Sequence, residues 1–159
     1  MCFPAGISYT RAELAHIFSM PNAVTLVGEV LESGEAARQQ PHEIAGFAVA
    51  DKEVSRGRLA GHLITIDVAD AHRGRGAGSA ILGAMEQRLM EQGVRGMRLE
   101  VAVDNERAQR FYRKLGYESC GWIAKYYLGS IDALLMEKPL AERQARTRTP
   151  AGRSIYDGV

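Results

Sequence analysis

Cysteine is scarce. Cys2 and Cys120 are the only two in 159 residues, too few for a disulfide framework, and neither sits in a C-x-x-C or Cys/His cluster that could hold zinc. Both read as reduced thiols, and no metal is expected. Long apolar runs are missing: nothing approaches the ~18 residues of a membrane span. The start, Met1-Cys2-Phe3-Pro4, lacks the basic-then-apolar pattern of a secretory signal. A soluble, cytoplasmic protein with no membrane partner is the expectation. Neither sign of charge dominates, with 20 Lys and Arg against 19 Asp and Glu, which argues against a nucleic-acid partner. There is no internal repeat. What remains is ordinary: 46% hydrophobic and 25% charged residues exclude wholesale disorder. The length suits one domain, which would bury roughly two-thirds of the extended-chain surface without a staple.

Periodicity predicts the elements. Residues 8–20 read as a helix, with Thr10 and Glu13 at capping-box spacing and Pro21 ending it. Residues 24–31 and 44–50 read as strands, 32–43 as a polar loop and 51–61 as a charged connection. A third strand, 62–68, would place His62, Ile64, Ile66 and Val68 on one face. A strong helix follows at 79–92, with Ile81, Leu82, Met85 and Leu89 at helical spacing and Gly93 as its cap. Residues 97–103 alternate cleanly, turning Met97, Leu99, Val101 and Val103 one way and Arg98 and Glu100 the other. Asn105 is an N-cap for a helix with Ala108, Phe111, Tyr112 and Leu115 on one stripe, stopped by Gly116. Residues 117–127 and 131–138 are two closing strands. Past residue 140 apolar periodicity is lost, and four arginines stand against Glu142 and Asp157. The expectation is one domain over 1–140 and a basic, mobile tail over 141–159. The order is α/β, a mixed sheet flanked by helices, with a central parallel pair joined by the 79–92 crossover.

The segment His72-Arg73-Gly74-Arg75-Gly76-Ala77-Gly78-Ser79 lies between a strand and a helix. Backbone N–H groups at a helix start have no intrahelical partner, and the helix dipole favours an anion there. Gly74, Gly76 and Gly78 let a phosphate approach the main chain, and Arg73 and Arg75 add permanent charge. No Gly-Lys-Ser/Thr ends the turn and it has no G-x-G-x-x-G, so it is neither a triphosphate P-loop nor a dinucleotide fingerprint.

Arg73-x-x-Gly76-x-Gly78 after a strand resembles motif A of the GCN5-related N-acetyltransferases (GNAT). Asn105-x-x-Ala108-x-x-x-Tyr112-x-x-x-Gly116-Tyr117 resembles their second signature. The resemblance covers about 2–140. Leu99-Glu100-Val101, Asn105, Tyr112, Tyr126-Tyr127 and Asp132-Ala133-Leu134-Leu135-Met136 narrow it toward the protein N-terminal acetyltransferases, the ribosomal-protein (RimI-type) branch in particular. It implies the GNAT acyltransferase fold, acetyl-CoA as donor and an amine as acceptor, a protein or peptide N-terminus such as that of a ribosomal protein. Such enzymes usually begin with a strand before the first helix. The expectation is that this strand is absent or that the true start lies upstream; its loss would bare a sheet edge. Monomer and homodimer both stay open.

Acetyl transfer needs a deprotonated amine, a stabilised oxyanion and a protonated leaving thiolate. An α-amine, with a reference pKa near 7.7–8.0, asks less of a base than a lysine near 10.4. The resemblance makes Glu100 the general base, although its strand alone would read as a solvated carboxylate paired with Arg98. It needs burial to raise its pKa, or a relaying water. Tyr112 is the general acid, its ring also fitting a core stripe. Asn105 reads equally as N-cap and cofactor contact. Backbone groups of Ile66, Asp67 and Val68 are implied for the pantetheine arm, and the turn from Arg73 through Ala77 to Ser79 for the pyrophosphate. Asp67 reads as facing the acceptor or as a solvated strand residue. Tyr126 and Tyr127 match an acceptor-holding pair, or are plain strand aromatics. His62 and His72 read as structural; His16 and His42 have no partner nameable from sequence. With no credible Ser or Cys nucleophile, direct attack in a ternary complex is implied. The rivals are a GNAT enzyme for a small-molecule amine or lysine, and a non-catalytic acyl-CoA-binding module.

Overall fold

The computed structural model describes residues 9–30, 43–55 and 57–140. The readings of the chain's start, of most of the 32–43 loop, of Cys2 and His42, and of the 141–159 tail fall outside the described residues.

The capping box forms: Glu13 N–H donates to Thr10 Oγ1 at 3.2 Å and Thr10 N–H to Glu13 Oε2 at 2.7 Å. It opens helix α1 (Arg11–Phe18). Strands β1 (Val24–Glu29), β2 (Ile44–Ser55) and β3 (Arg58–Val68) follow, then a 3-10 turn (Asp70–His72) and helix α2 (Ala77–Glu91). Strand β4 (Gly96–Ala102), helix α3 (Glu106–Lys114) and strands β5 (Glu118–Tyr127) and β6 (Ile131–Pro139) complete the order. The strands form one six-stranded sheet, β1-β2-β3-β4-β6-β5. Its one parallel pair is β3–β4, bridged by α2 as expected; the other pairs are antiparallel.

Two expectations are corrected. Residues 51–61 are not a loose charged connection: β2 and β3 continue as a hairpin, pairing Asp51 with His62 and on to Ser55 with Arg58. Charge fits there because Glu53 meets Arg98 of β4 side-on at 2.6–2.7 Å, one carboxylate oxygen on Nε and the other on a terminal nitrogen. The 62–68 alternation is also broken. Val49 pairs Thr65 while Ala50 pairs Leu63, so Ile64 is an extra residue, a β-bulge. A bulge swaps the faces. Leu63 and Ile66 share one face with Ala48 and Ala50; His62 and Thr65 share the other with Asp51 and Val49.

The first face is the core. Leu82, Met85 and Leu89 of α2 pack on Ala48, Ala50, Leu63, Ile66, Met97 and Leu99. Each large side chain fully buried there contributes ~1.5–3 kcal/mol. On the other face α1 docks through Ile17 and an edge-to-face contact of Phe18 with Phe47, centroids 5.8 Å apart. The β3–β4 ladder is short. It pairs Gly61 with Met97 and His62 with Arg98, and beyond that point no further pairing joins the strands.

Candidate active site

The Gly-rich turn works by backbone conformation. Gly74 and Gly76 hold φ of +74° and +89°, left-handed values that cost other residues about 1–2 kcal/mol. Gly76 is the N-cap of α2, and the first helical bond is Ala80 N–H to Gly76 O at 3.0 Å. The N–H groups of Ala77, Gly78 and Ser79 therefore have no intrahelical acceptor. They open toward a groove of about 360 Å³ whose walls include Gly74, Gly76, Gly78 and Ser79. Ile66 and Val68 of β3 form another wall, and Arg107, Phe111 and Lys114 of α3 face them. Asn105 caps α3, its side chain accepting from Ala108 N–H at 3.1 Å. Arg107 and Lys114 escaped the sequence reading, although 107, 111 and 114 fall on one helical face.

Arg73 braces the turn. Its Nε–H donates to Val68 O at 2.9 Å, one terminal nitrogen meets Asp70, and the other lies 3.5 Å from Asp67. Arg75 and Ala77 are not among the groove's lining side chains. An anion with a long, partly apolar tail fits: orphan amides and cations at one end, Ile66, Val68 and Phe111 along the walls.

The opposite face carries a different cluster where β3 and β4 stop pairing. His62 Nε2 lies 2.7 Å from Glu100 Oε2, and its Nδ1 faces Asp51 Oδ1 at 3.5 Å. The Glu100 hydrogen bond raises the imidazole above its ordinary pKa, against burial. Burial pushes Glu100 upward, but the His62 hydrogen bond and charge, with Arg98, outweigh it and hold the carboxyl below its usual range. Burial does not make Glu100 a stronger base.

Tyr126 and Tyr127 both reach this spot because β5 is irregular. Ile123 pairs Ala133 and Tyr127 pairs Ile131, so three residues span the place of one. Lys125 takes φ of +55° and its N–H donates to Asp132 Oδ1 at 2.8 Å. Consecutive strand residues normally point apart; here the two rings meet edge to face at 4.9 Å. Tyr127 donates its hydroxyl to Glu100 O at 3.0 Å. Burial, then the Glu100 and Tyr9 charges, raise Tyr126.

Tyr112 is buried, edge-on to Phe111 at 5.2 Å and to Tyr117 at 5.7 Å. It adjoins the groove through Phe111 rather than lining it. Asp67 lies on the acceptor-side face, half exposed, accepting from Val68 N–H at 2.9 Å. His72 binds Glu43 at 3.0 Å. No group of three or more metal-ligating side chains is found among the described residues.

Residues 3–117 match the Acetyltransferase (GNAT) family. N-alpha-acetyltransferase 30 of Schizosaccharomyces pombe is 30% identical over 89 residues, 55% of this chain and 59% of that protein. Streptothricin acetyltransferase of Streptomyces lavendulae is 32% identical over 101 residues, 61% of this chain and 52% of that one. The chain spans about half the length of the curated relatives it matches. The solved ribosomal-protein-S18-alanine N-acetyltransferase from Escherichia coli shares the fold, with a TM-score of 0.66 at 22% identity over 96% of this chain and 86% of that one. Motif order, sheet topology and a family match over most of its length agree that this chain belongs to the GNAT acetyltransferase family.

Proposed function

We propose that this chain is an acetyl-CoA-dependent N-acetyltransferase acting on the N-terminal α-amine of a protein. The observation that carries it is the two-sided site: an anion groove on one face of the sheet and a carboxylate with two tyrosines on the other, meeting where β3 and β4 stop pairing. The α2 amides with Arg107 and Lys114 hold the pyrophosphate, and Ile66, Val68 and Phe111 flank the arm. Acetyl-CoA supplies an activated carbonyl and a thiolate leaving group. Glu100 takes the proton of the attacking amine. Tyr112 is assigned the proton for the departing sulfur, a phenol near 10 donating toward a thiol near 8.5. Tyr126 and Tyr127 flank the acceptor. The likeness to N-alpha-acetyltransferase 30 supports an α-amine, and the RimI-type fold likeness makes ribosomal-protein N-termini the first peptides to try.

Calorimetry should show heat with CoA and its acetyl thioester. Peptides with free N-termini should release CoA thiol, while the same peptides blocked at the N-terminus should not. Glu100→Gln and Tyr112→Phe should each lower turnover by about 10²-fold with acetyl-CoA binding kept. Full activity in both would remove their roles. The likeness to streptothricin acetyltransferase supports a second reading, a small-molecule amine acceptor. It predicts thiol release with small amines and none with the peptides.

A further inference from the structure

We propose that Glu100 does not hold the acceptor's proton alone: it passes it to His62, which Asp51 orients from behind. This rests on the acetyltransferase reading above and adds a residue to its machinery. The three side chains come from three adjacent strands, β2, β3 and β4, and lie on the face opposite the anion groove. His62 is half-buried in the last residue pair before the strands part, so its ring stands at the mouth of the gap.

The stereochemistry favours a proton store. A neutral imidazole carries one N–H. Placed between two carboxylates, 2.7 Å and 3.5 Å away, it gains a donor toward each only when protonated. With His62 and Arg98 beside it Glu100 is held below its ordinary range, so within the pair the proton settles on the imidazole rather than on the carboxyl. In the step, the amine nitrogen forms the C–N bond as the C–S bond breaks and the electron pair leaves on sulfur. The nitrogen's surplus proton goes to Glu100 Oε2, and rotation about the C–O bond delivers it to His62 Nε2, the neutral ring carrying its one N–H on Nδ1 toward Asp51. The couple then releases it to solvent. The other ionisable groups facing it are Arg98 on β4 and Tyr126 and Tyr127 on β5, with Tyr9 beyond Tyr126. Arg98 is engaged with Glu53, and its charge opposes protonation of His62.

The sign of the pH dependence follows. Below the raised pKa of His62 the store is already loaded, so turnover is low at acid pH and rises as pH passes through that pKa. His62→Gln should lower kcat by about 10²-fold, leave KM for acetyl-CoA unchanged and abolish this inflection. Asp51→Asn, a positioning change, should move the inflection to lower pH with a smaller loss of kcat. Ring-proton NMR gives a readout independent of turnover. One histidine, identified by its disappearance in His62→Gln, should titrate above the ordinary 6.5 in the wild type and fall toward it in Glu100→Gln. His62→Gln with wild-type kcat and inflection would overturn the relay, as would an NMR titration that ignores Glu100→Gln. A wild type that acetylates no amine would instead overturn the acetyltransferase reading, and the relay with it.

Discussion

Gly76 concentrates conformational demand and chemistry in one residue. At φ +89° it starts α2 and aims the amides of the following residues into the groove. A Cβ there would meet nothing within 4 Å, so the cost of Gly76→Ala is purely torsional, about 1–2 kcal/mol. Part of that should appear as a lower urea midpoint and part as CoA affinity reduced about tenfold, both measurable on one preparation. Gly46 makes the contrast. A Cβ there would run into the Asp67 carbonyl and press on Ile81, so Gly46→Ala should weaken the β2–β3 pairing that supports the turn. The Gly-rich turn was legible from sequence because glycines between a strand pattern and a helix pattern mark where the backbone must turn. The need at Gly46 was not legible, because it arises from a neighbouring strand.

At the scale of elements, the α/β order, the crossover helix, the Asn105 cap and the two closing strands could all be read from periodicity and cap residues, which are local signals. The bulge at Ile64 could not: nothing in Leu63-Ile64-Thr65-Ile66 marks a slipped register, Thr65 being buried like Leu63 and Ile66, and only pairing with β2 reveals it. That slip separates His62 from the apolar face and brings it to Glu100, which is why His62 reads as structural in sequence. The irregularity in β5 is equally hidden, since Lys125 is not a residue that announces positive φ. Its anchor is the Asp132 carboxylate on the Lys125 N–H. Asp132→Ala removes one charge-assisted hydrogen bond, worth about 1.5–3 kcal/mol, and frees the segment carrying Tyr126 and Tyr127. KM for the acceptor peptide should rise about tenfold or more while CoA binding measured by calorimetry stays unchanged. A rise in the CoA Kd instead would mean the bulge supports the groove.

Across the whole molecule the sheet has a weak seam. Strands β1–β3 and β4–β6–β5 are joined by the short β3–β4 ladder, and that break is the same feature that opens the site. The seam is clamped from one face by α2. Its buried Glu86 accepts from Tyr117 Oη at 3.0 Å, just before β5, and from Lys138 Nζ at 2.6 Å, on β6. Burial and the Glu86 charge keep the Tyr117 phenol protonated far into the alkaline range. A helix lying against the first half of the sheet is thereby tied to the second by two hydrogen bonds to one carboxylate, the one from Lys138 charged at both ends. Removing only the cation leaves a buried carboxylate short of its counter-charge, which typically costs about 3–5 kcal/mol. Because Lys138 is partly exposed, Lys138→Met should fall at the lower end of that range, about 3 kcal/mol in urea unfolding. Glu86→Gln in the Lys138→Met background should recover much of the loss, since the amide no longer requires a cation and still accepts from Tyr117. If the clamp holds the gap between β3 and β4 at its working width, Lys138→Met should also lower turnover under conditions where it is fully folded, and the double variant should restore turnover and stability together. Recovery of stability without turnover would mean the gap's width is fixed by the strands themselves and the clamp serves only the fold.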